Sequence, residues 1–220
     1  MSKLVPSIMT ADPLNLEQEL QDLHESGVDW LHVDVMDGIF VNNLAMGPYV
    51  VKPIIKTGNF TVDVHLACID PERYINMFSE IWPDYLTFHV ETTTVPEKLI
   101  ELIHSKQIKA GIAISPQTRI ETIYPYLESV DLVLMMTVNP GFAGQKIQEH
   151  VYDKIDKLNQ ELEDVENKPL IEVDGNIYEE TANKISQVGA DLYVLGTSAL
   201  FNDAPGSYAE KLDQMTQAIQ

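Results

Sequence analysis

Basic side chains are scarce in this 220-residue chain. Lysine and arginine number 14 against 34 aspartates and glutamates, a net charge of −20. That balance argues against a nucleic-acid partner, whose binding rests on basic patches. It also means that an anionic substrate would have to be held by backbone N–H groups, because side-chain cations are few. One cysteine, Cys68, excludes an internal disulfide and fits a reducing compartment; it reads as a small buried apolar group. No apolar run approaches the roughly 20 residues of a membrane helix. The opening MSKLVPSIM lacks a secretory hydrophobic region. A cytoplasmic protein with no membrane partner is therefore expected. No Pro/Gly/Ser-rich linker and no low-complexity tract divides the chain. What is present is an ordinary globular composition, 45% hydrophobic with a mean hydropathy of −0.09. The length suffices for one domain with a full core, residues 1–220.

Periodicity predicts eight strands, at Leu4–Met9, Trp30–Met36, Thr61–Cys68, Tyr85–Val90, Ala110–Ser115, Leu132–Val138, Leu170–Asp174 and Leu192–Gly196. Helices are predicted between and after them, at Asn15–Gly27, Gly47–Thr57, Pro71–Ile81, Val95–Lys106, Arg119–Glu128, Glu149–Val165, Glu179–Val188 and Tyr208–Ile219. Eight strand–helix units with short links argue for a parallel sheet closed into a (β/α)8 barrel, a TIM barrel. A doubly wound open sheet is the alternative, but no G-x-G-x-x-G follows the first strand.

The stretch WLHVDVMDG (Trp30–Gly38) carries an imidazole and a carboxylate where a strand should be buried. His32, Asp34 and Met36 are two residues apart and share one face. A buried charge needs a partner or a metal. This is either a ligand pair at a strand end or a buried structural pair. The remaining strands place more chemistry at the same end: Ser7, His65, Met136, Asp174 and Gly196–Thr197. In such a barrel that end is the active-site rim. His32, Asp34, His65 and Asp174 form a plausible set for one divalent ion, Zn, Fe, Mn or Co. Asp63 and Glu172 lie one layer deeper, either as partners of a ligating histidine or as part of a buried ion pair with Lys109 as the candidate cation. His89 reads as a core histidine, and His24, His104 and His150 fall on helices without a role. NPGFAGQ (Asn139–Gln145), DGN and GTS are short-side-chain segments suited to phosphate binding through backbone N–H groups.

Six segments now align in order: PSIMTAD (Pro6–Asp12), HVDVMDG, DVHL (Asp63–Leu66), MTVNPGFAGQ (Met136–Gln145), EVDG (Glu172–Gly175) and GTSALF (Gly196–Phe201). Together they resemble the ribulose-phosphate 3-epimerase family. The resemblance implies inversion at C3 of a ketose phosphate, with one divalent metal per subunit. It assigns His32, Asp34, His65 and Asp174 as metal ligands, and Asp34 and Asp174 as the acid/base pair. Ser7, His65, Met36 and Met136 would contact substrate. Gly141, Phe142, Ala143, Gly144, Gly175, Asn176, Gly196 and Thr197 would grip phosphate. A small-molecule sugar phosphate is the expected partner, and a homo-oligomer the expected assembly.

Departures from the family pattern concern the sugar. Ala67 stands where a methionine is usual, so a wider pocket is expected there. GFAGQ and GTSALFN resemble the branch acting on allulose 6-phosphate. Ribulose 5-phosphate is the first reading and allulose 6-phosphate the second. A phosphosugar-binding barrel without turnover, and a decarboxylase or lyase on the same scaffold, are further alternatives. Against the last, no lysine ends strands 2, 3, 6 or 7.

Overall fold

The computed structural model describes residues 2–220. Eight parallel strands form one sheet: β1 (Lys3–Pro6), β2 (Trp30–Met36), β3 (Thr61–Ala67), β4 (Tyr85–His89), β5 (Lys109–Ile114), β6 (Leu132–Met136), β7 (Leu170–Asp174) and β8 (Leu192–Leu195). Each pairs with its sequence neighbour, and β1 pairs with β8. The remaining seam, β1 to β2, is joined by the parallel bridge Ser7–His32. The expected (β/α)8 barrel is thus observed.

Local sequence explains where the helices begin. α2 (Pro48–Thr57), α3 (Pro71–Ser79) and α4 (Pro96–Ser105) each start on a proline, whose missing N–H is spare in a first turn. α7 (Tyr208–Ala218) starts on a capping box, in which Ser207 and Glu210 satisfy each other's backbone N–H groups. α1 (Leu16–Glu25), α5 (His150–Glu161) and α6 (Glu179–Val188) complete the outer ring.

Two expectations need correction. Arg119–Glu128 is not a helix but two 3-10 turns, Ile120–Thr122 and Tyr124–Tyr126. Pro125 has no N–H to donate and disfavours helical backbone at Tyr124. Ile120, Ile123 and Leu127 are buried all the same, so the segment still contributes to the hydrophobic shell. The first strand stops at Pro6, and Ile8–Thr10 forms a 3-10 turn.

The strands alternate strictly. Outward residues such as Val33, Val64, Phe88, Ile112, Val133 and Val173 join the large core between sheet and helices. Inward residues form a separate core at the bottom of the barrel, where Val5, Trp30, Tyr85, Leu132, Leu134 and Leu192 pack together. Above this apolar plug the interior turns polar, with His32, Asp34, Asp63, His65, Thr87, His89 and Glu172 all buried.

Candidate active site

Strand register brings the first polar group together. In the β2–β3 pairing, His32 lies beside Asp63 and Asp34 beside His65. The upper layer holds Asp34, His65 and Asp174, with His32 just below. One ligand atom from each of the four lies within 4.8 Å of the others. His65 Nδ1 is 3.0 Å from Asp34 Oδ1 and 3.4 Å from His32 Nε2. The Ser7 hydroxyl donates to Asp34 Oδ2 at 2.6 Å.

These atoms suit a divalent ion. Lone pairs of two carboxylates and two imidazoles converge in a largely dry place, and without a cation such an arrangement is costly. Burial opposes charge on His32, yet Asp34 and Glu172 hold its pKa well above the usual imidazole range. Burial would raise Asp34, but His32 and His65 hold it well below the usual carboxylate range. For Asp174 the histidines His32 and His89 act in the same sense but are outweighed. Burial and the Asp34 carboxylate push it up to about 7.

A second layer supports the first. His32 Nδ1 is 3.0 Å from Asp63 Oδ2 and 3.6 Å from Glu172 Oε1, though neither contact is an aligned hydrogen bond. Asp63 Oδ1 accepts from Thr87 Oγ1 at 2.7 Å. Gly111 makes this possible, since a Cβ there would overlap the Thr87 hydroxyl. Burial and Asp63 raise Glu172 to about 8. The suggested pairing of these acids with Lys109 is not found. Lys109 sits at the opposite, N-terminal end of β5 and donates to the Tyr85 hydroxyl.

Above the four residues a cleft opens to solvent. Every residue expected to contact substrate or phosphate lines it, as do Asp34, His65 and Asp174. His32 does not; it is fully buried beneath. Met36 and Met136 provide apolar wall. No lysine or arginine lines the cleft among the described residues. The N–H groups of Gly175, Asn176, Gly196 and Thr197 donate to no protein acceptor among the described residues. Gly175 needs to be glycine, with φ +118° and Val138 pressed against the place of a Cβ. Asn176 uses its side chain to tie loops together, accepting from Ile147 N–H and donating to Ser198 Oγ.

Sequence reasoning missed Met9, Thr10, Val138, Ile177 and Val194, which also line the cleft. Met9 was hidden by reading the turn after β1 as strand. The wider pocket expected at Ala67 is not observed. Ala67 is fully buried against Met36 and Val41, off the cleft surface. His89 is buried but not isolated, since its Nε2 is 2.9 Å from His65 Nε2. Cys68 is buried as expected, its Sγ donating to Val35 O. Among the described residues, no helix is long and apolar enough to cross a membrane.

Comparison with solved structures shows the same fold at low identity. 3-keto-L-gulonate-6-phosphate decarboxylase from Vibrio cholerae superposes with a TM-score of 0.71 at 10% identity, covering 99% of this chain and 96% of that one. 3-hexulose-6-phosphate synthase from Salmonella typhimurium gives 0.69 at 16%, covering 99% and 98%. Sequence relatives are nearer. Ribulose-phosphate 3-epimerase of Bacillus subtilis is 39% identical over 199 residues, 90% of this chain and 92% of that protein. The Synechocystis sp. protein of the same name is 38% identical over 211 residues, 95% and 90% of the two chains. The family model described as ribulose-phosphate 3 epimerase matches residues 3–201. With its barrel, its converging histidines and carboxylates and these relatives, the chain belongs to the ribulose-phosphate 3-epimerase family.

Proposed function

We propose that this chain is a metal-dependent 3-epimerase interconverting D-ribulose 5-phosphate and D-xylulose 5-phosphate. One observation carries the reading: Asp34 and Asp174 reach a single methionine-walled mouth from β2 and β7. Epimerising C3 requires loss of the proton α to the C2 carbonyl and its return to the opposite face. One fixed base serves one face only, whereas two carboxylates on different strands can serve both. One carboxylate of the pair acts as base while the other, protonated, acts as acid. Asp34 takes the proton, a cis-enediolate forms, and Asp174 delivers a proton from the other side; the roles exchange in the reverse reaction. Ser7 orients Asp34 through its hydrogen bond. Met36 and Met136 keep water and competing acids from the reacting carbon.

His32, Asp34, His65 and Asp174 would hold one divalent ion, Zn, Fe, Mn or Co. When bound, it supplies Lewis-acid stabilisation of charge developing on the sugar oxygens. The phosphate is assigned to the backbone N–H groups of Gly141–Gly144, Gly175–Asn176 and Gly196–Thr197. A cleft without cations leaves those N–H groups as its donors of positive potential. The absence of a lysine from the cleft also favours this reading over lysine-dependent decarboxylase chemistry. A homo-oligomer belongs to the same reading and is checked by sedimentation. The discriminating assay measures kcat/KM on ribulose 5-phosphate and allulose 6-phosphate side by side. A tenfold preference for the hexulose phosphate, about 1.4 kcal/mol, would replace the pentulose assignment.

A further inference from the structure

We propose that Asn43 is a positioning residue for the substrate phosphate: it holds the Gly141–Phe142 peptide so that the Phe142 N–H faces the cleft. The proposal rests on the phosphate assignment above and deepens it.

The turn that follows β2 reaches the loop that follows β6. Asp37 pins its base, with Oδ1 accepting from the Ile39 and Phe40 N–H groups and Oδ2 from Ile69 N–H. A backbone bridge between Asp37 and Leu44, and a bond from Ala45 N–H to Met36 O, close the turn. From this frame Asn43 Nδ2 donates to Gly141 O at 2.8 Å, across 98 positions of sequence. Asn43 Oδ1 accepts from Leu44 N–H at 2.9 Å, which fixes the end of the amide that donates. Val41, from the same turn, packs so closely on Gly141 that a Cβ there would lie 3.1 Å from the Val41 Cβ. Among the described residues, the bond from Asn43 is the one that ties residues 140–144 to another loop, since Gln145 holds Phe142 O from within the same segment.

A trans peptide carries its C=O and its N–H on opposite sides. Gly141 O is turned to Asn43, which does not line the cleft, whereas Gly141 and Phe142 both do. The N–H of that peptide, contributed by Phe142, therefore points away from Asn43 on the cleft side. It donates to no protein acceptor among the described residues. Gly141 has φ +124°, and glycine admits the reversed peptide as readily. Reversal would exchange a donor for a carbonyl oxygen facing the phosphate, in a cleft with no lysine or arginine to compensate. Asn43 selects the sense that attracts an anion. Because its turn leaves the strand that carries Asp34, it also sets the reach from the reacting carbon to the phosphate.

Asn43→Leu keeps the shape and removes the donor without adding charge. Asn43→Asp sets a carboxylate oxygen against Gly141 O and favours the reversed peptide. KM for ribulose 5-phosphate should rise about 10-fold in Asn43→Leu and about 100-fold in Asn43→Asp. The inhibition constant of inorganic phosphate should rise with it. In Asn43→Leu, kcat, and kcat/KM for unphosphorylated D-ribulose, should stay within about twofold of wild type. A general loosening of the fold would not give that split. In nitrogen-15 NMR of the wild type titrated with inorganic phosphate, the Phe142 amide should shift together with those of Gly196 and Thr197. In Asn43→Leu the latter two should shift alone. A wild-type Phe142 amide that stays still while Gly196 and Thr197 respond overturns the proposal even if neither variant folds. An unchanged KM in Asn43→Leu overturns it, as does a loss on D-ribulose equal to that on the phosphorylated sugar. If none of these amides responds in the wild type, the phosphate assignment on which the proposal stands is overturned instead.

Discussion

On β2, β3 and β7 the outward side chains are Leu31, Val33, Val35, Val62, Val64, Leu66, Ile171 and Val173, all in the shell beneath the helices. The inward ones, one residue away in each case, include His32, Asp34, Asp63, His65, Glu172 and Asp174. Apart from Asp174, which is partly exposed, both sets are almost wholly removed from water. Burial of the first is favourable by about 1.5–3 kcal/mol per large side chain. Burial of the second opposes folding unless charges are paired, shared with a proton or neutralised by an ion. The stability of this barrel therefore resides on one face of its strands and its chemistry on the other. Substitutions on the two faces should separate the two properties.

The largest separation is expected at the carboxylates. Asp34→Asn and Asp174→Asn should each lower kcat/KM by at least about 10³-fold, some 4 kcal/mol. Melting temperature should hold or rise in Asp174→Asn, whose charge burial penalises, and fall in Asp34→Asn, which leaves buried His32 without the carboxylate that holds its proton. Metal content must be measured beside activity, since both residues belong to the proposed ligand set. In D2O, wild-type product should carry deuterium at C3. Retention of the original C3 proton in most product over one turnover would favour a single shuttling base.

The converse case is Phe88→Ala, on the outer face of β4. Loss of a fully buried aromatic should cost about 3–5 kcal/mol of unfolding free energy. The kcat of the protein that remains folded should stay within about twofold, as measured below its denaturation midpoint. A large fall in kcat at constant fold would show that the two faces are mechanically coupled. A smaller effect is expected at the rim, from Gly196→Val. A Cβ there has room, its nearest neighbour being Thr10 Oγ1 at 3.6 Å, so folding should survive. The added side chain would crowd the N–H groups assigned to phosphate. KM for the phosphorylated sugar should rise about tenfold, close to 1.4 kcal/mol, with kcat less affected. An unchanged preference for phosphorylated over free sugar would remove Gly196 from the phosphate site.

The alternation that makes this comparison possible is also what made the site legible. A period of two puts His32 with Asp34 and Asp63 with His65 before any coordinates are known. Eight strand–helix units then place those pairs on one rim. Contacts that depend on barrel stagger were not legible. Lys109 has the right parity to meet Asp63 and Glu172, but it lies at the opposite rim beside Tyr85. His89 read as a core histidine without a named partner, because nothing in the sequence gives the height of β4 relative to β3. Only the structure puts its ring against His65. The helix expected at Arg119–Glu128 failed for a local reason, Pro125, which the apolar spacing of Ile120, Ile123 and Leu127 outweighed.

The smallest expected effect concerns an exception to the comparison, a cation buried in the outer shell. Lys154 on α5 is buried and donates to Ser115 O at 2.7 Å and Pro116 O at 3.4 Å. Burial lowers its pKa to about 8, with the Glu91 carboxylate acting in the opposite sense. In the unfolded chain it titrates near the ordinary lysine value of about 10.4. Between these values the unfolded state binds more protons, so stability attributable to this residue rises with pH across that window. Below pH 8 both states are charged and the penalty for burying the ammonium is fully present. Above the unfolded value neither is charged and the penalty is gone. Lys154→Met lacks this titration. Urea unfolding of both proteins should show the wild type gaining on the variant by on the order of 1–2 kcal/mol between pH 8 and pH 10, after allowance for partial hydration. At pH 7 the two should differ little, because the methionine relieves a buried charge but leaves the Ser115 carbonyl without its donor. Parallel pH profiles would mean that the Lys154 ammonium reaches water. The outer face would then hold no desolvated charge there, and the division between the two faces of the barrel would be sharper.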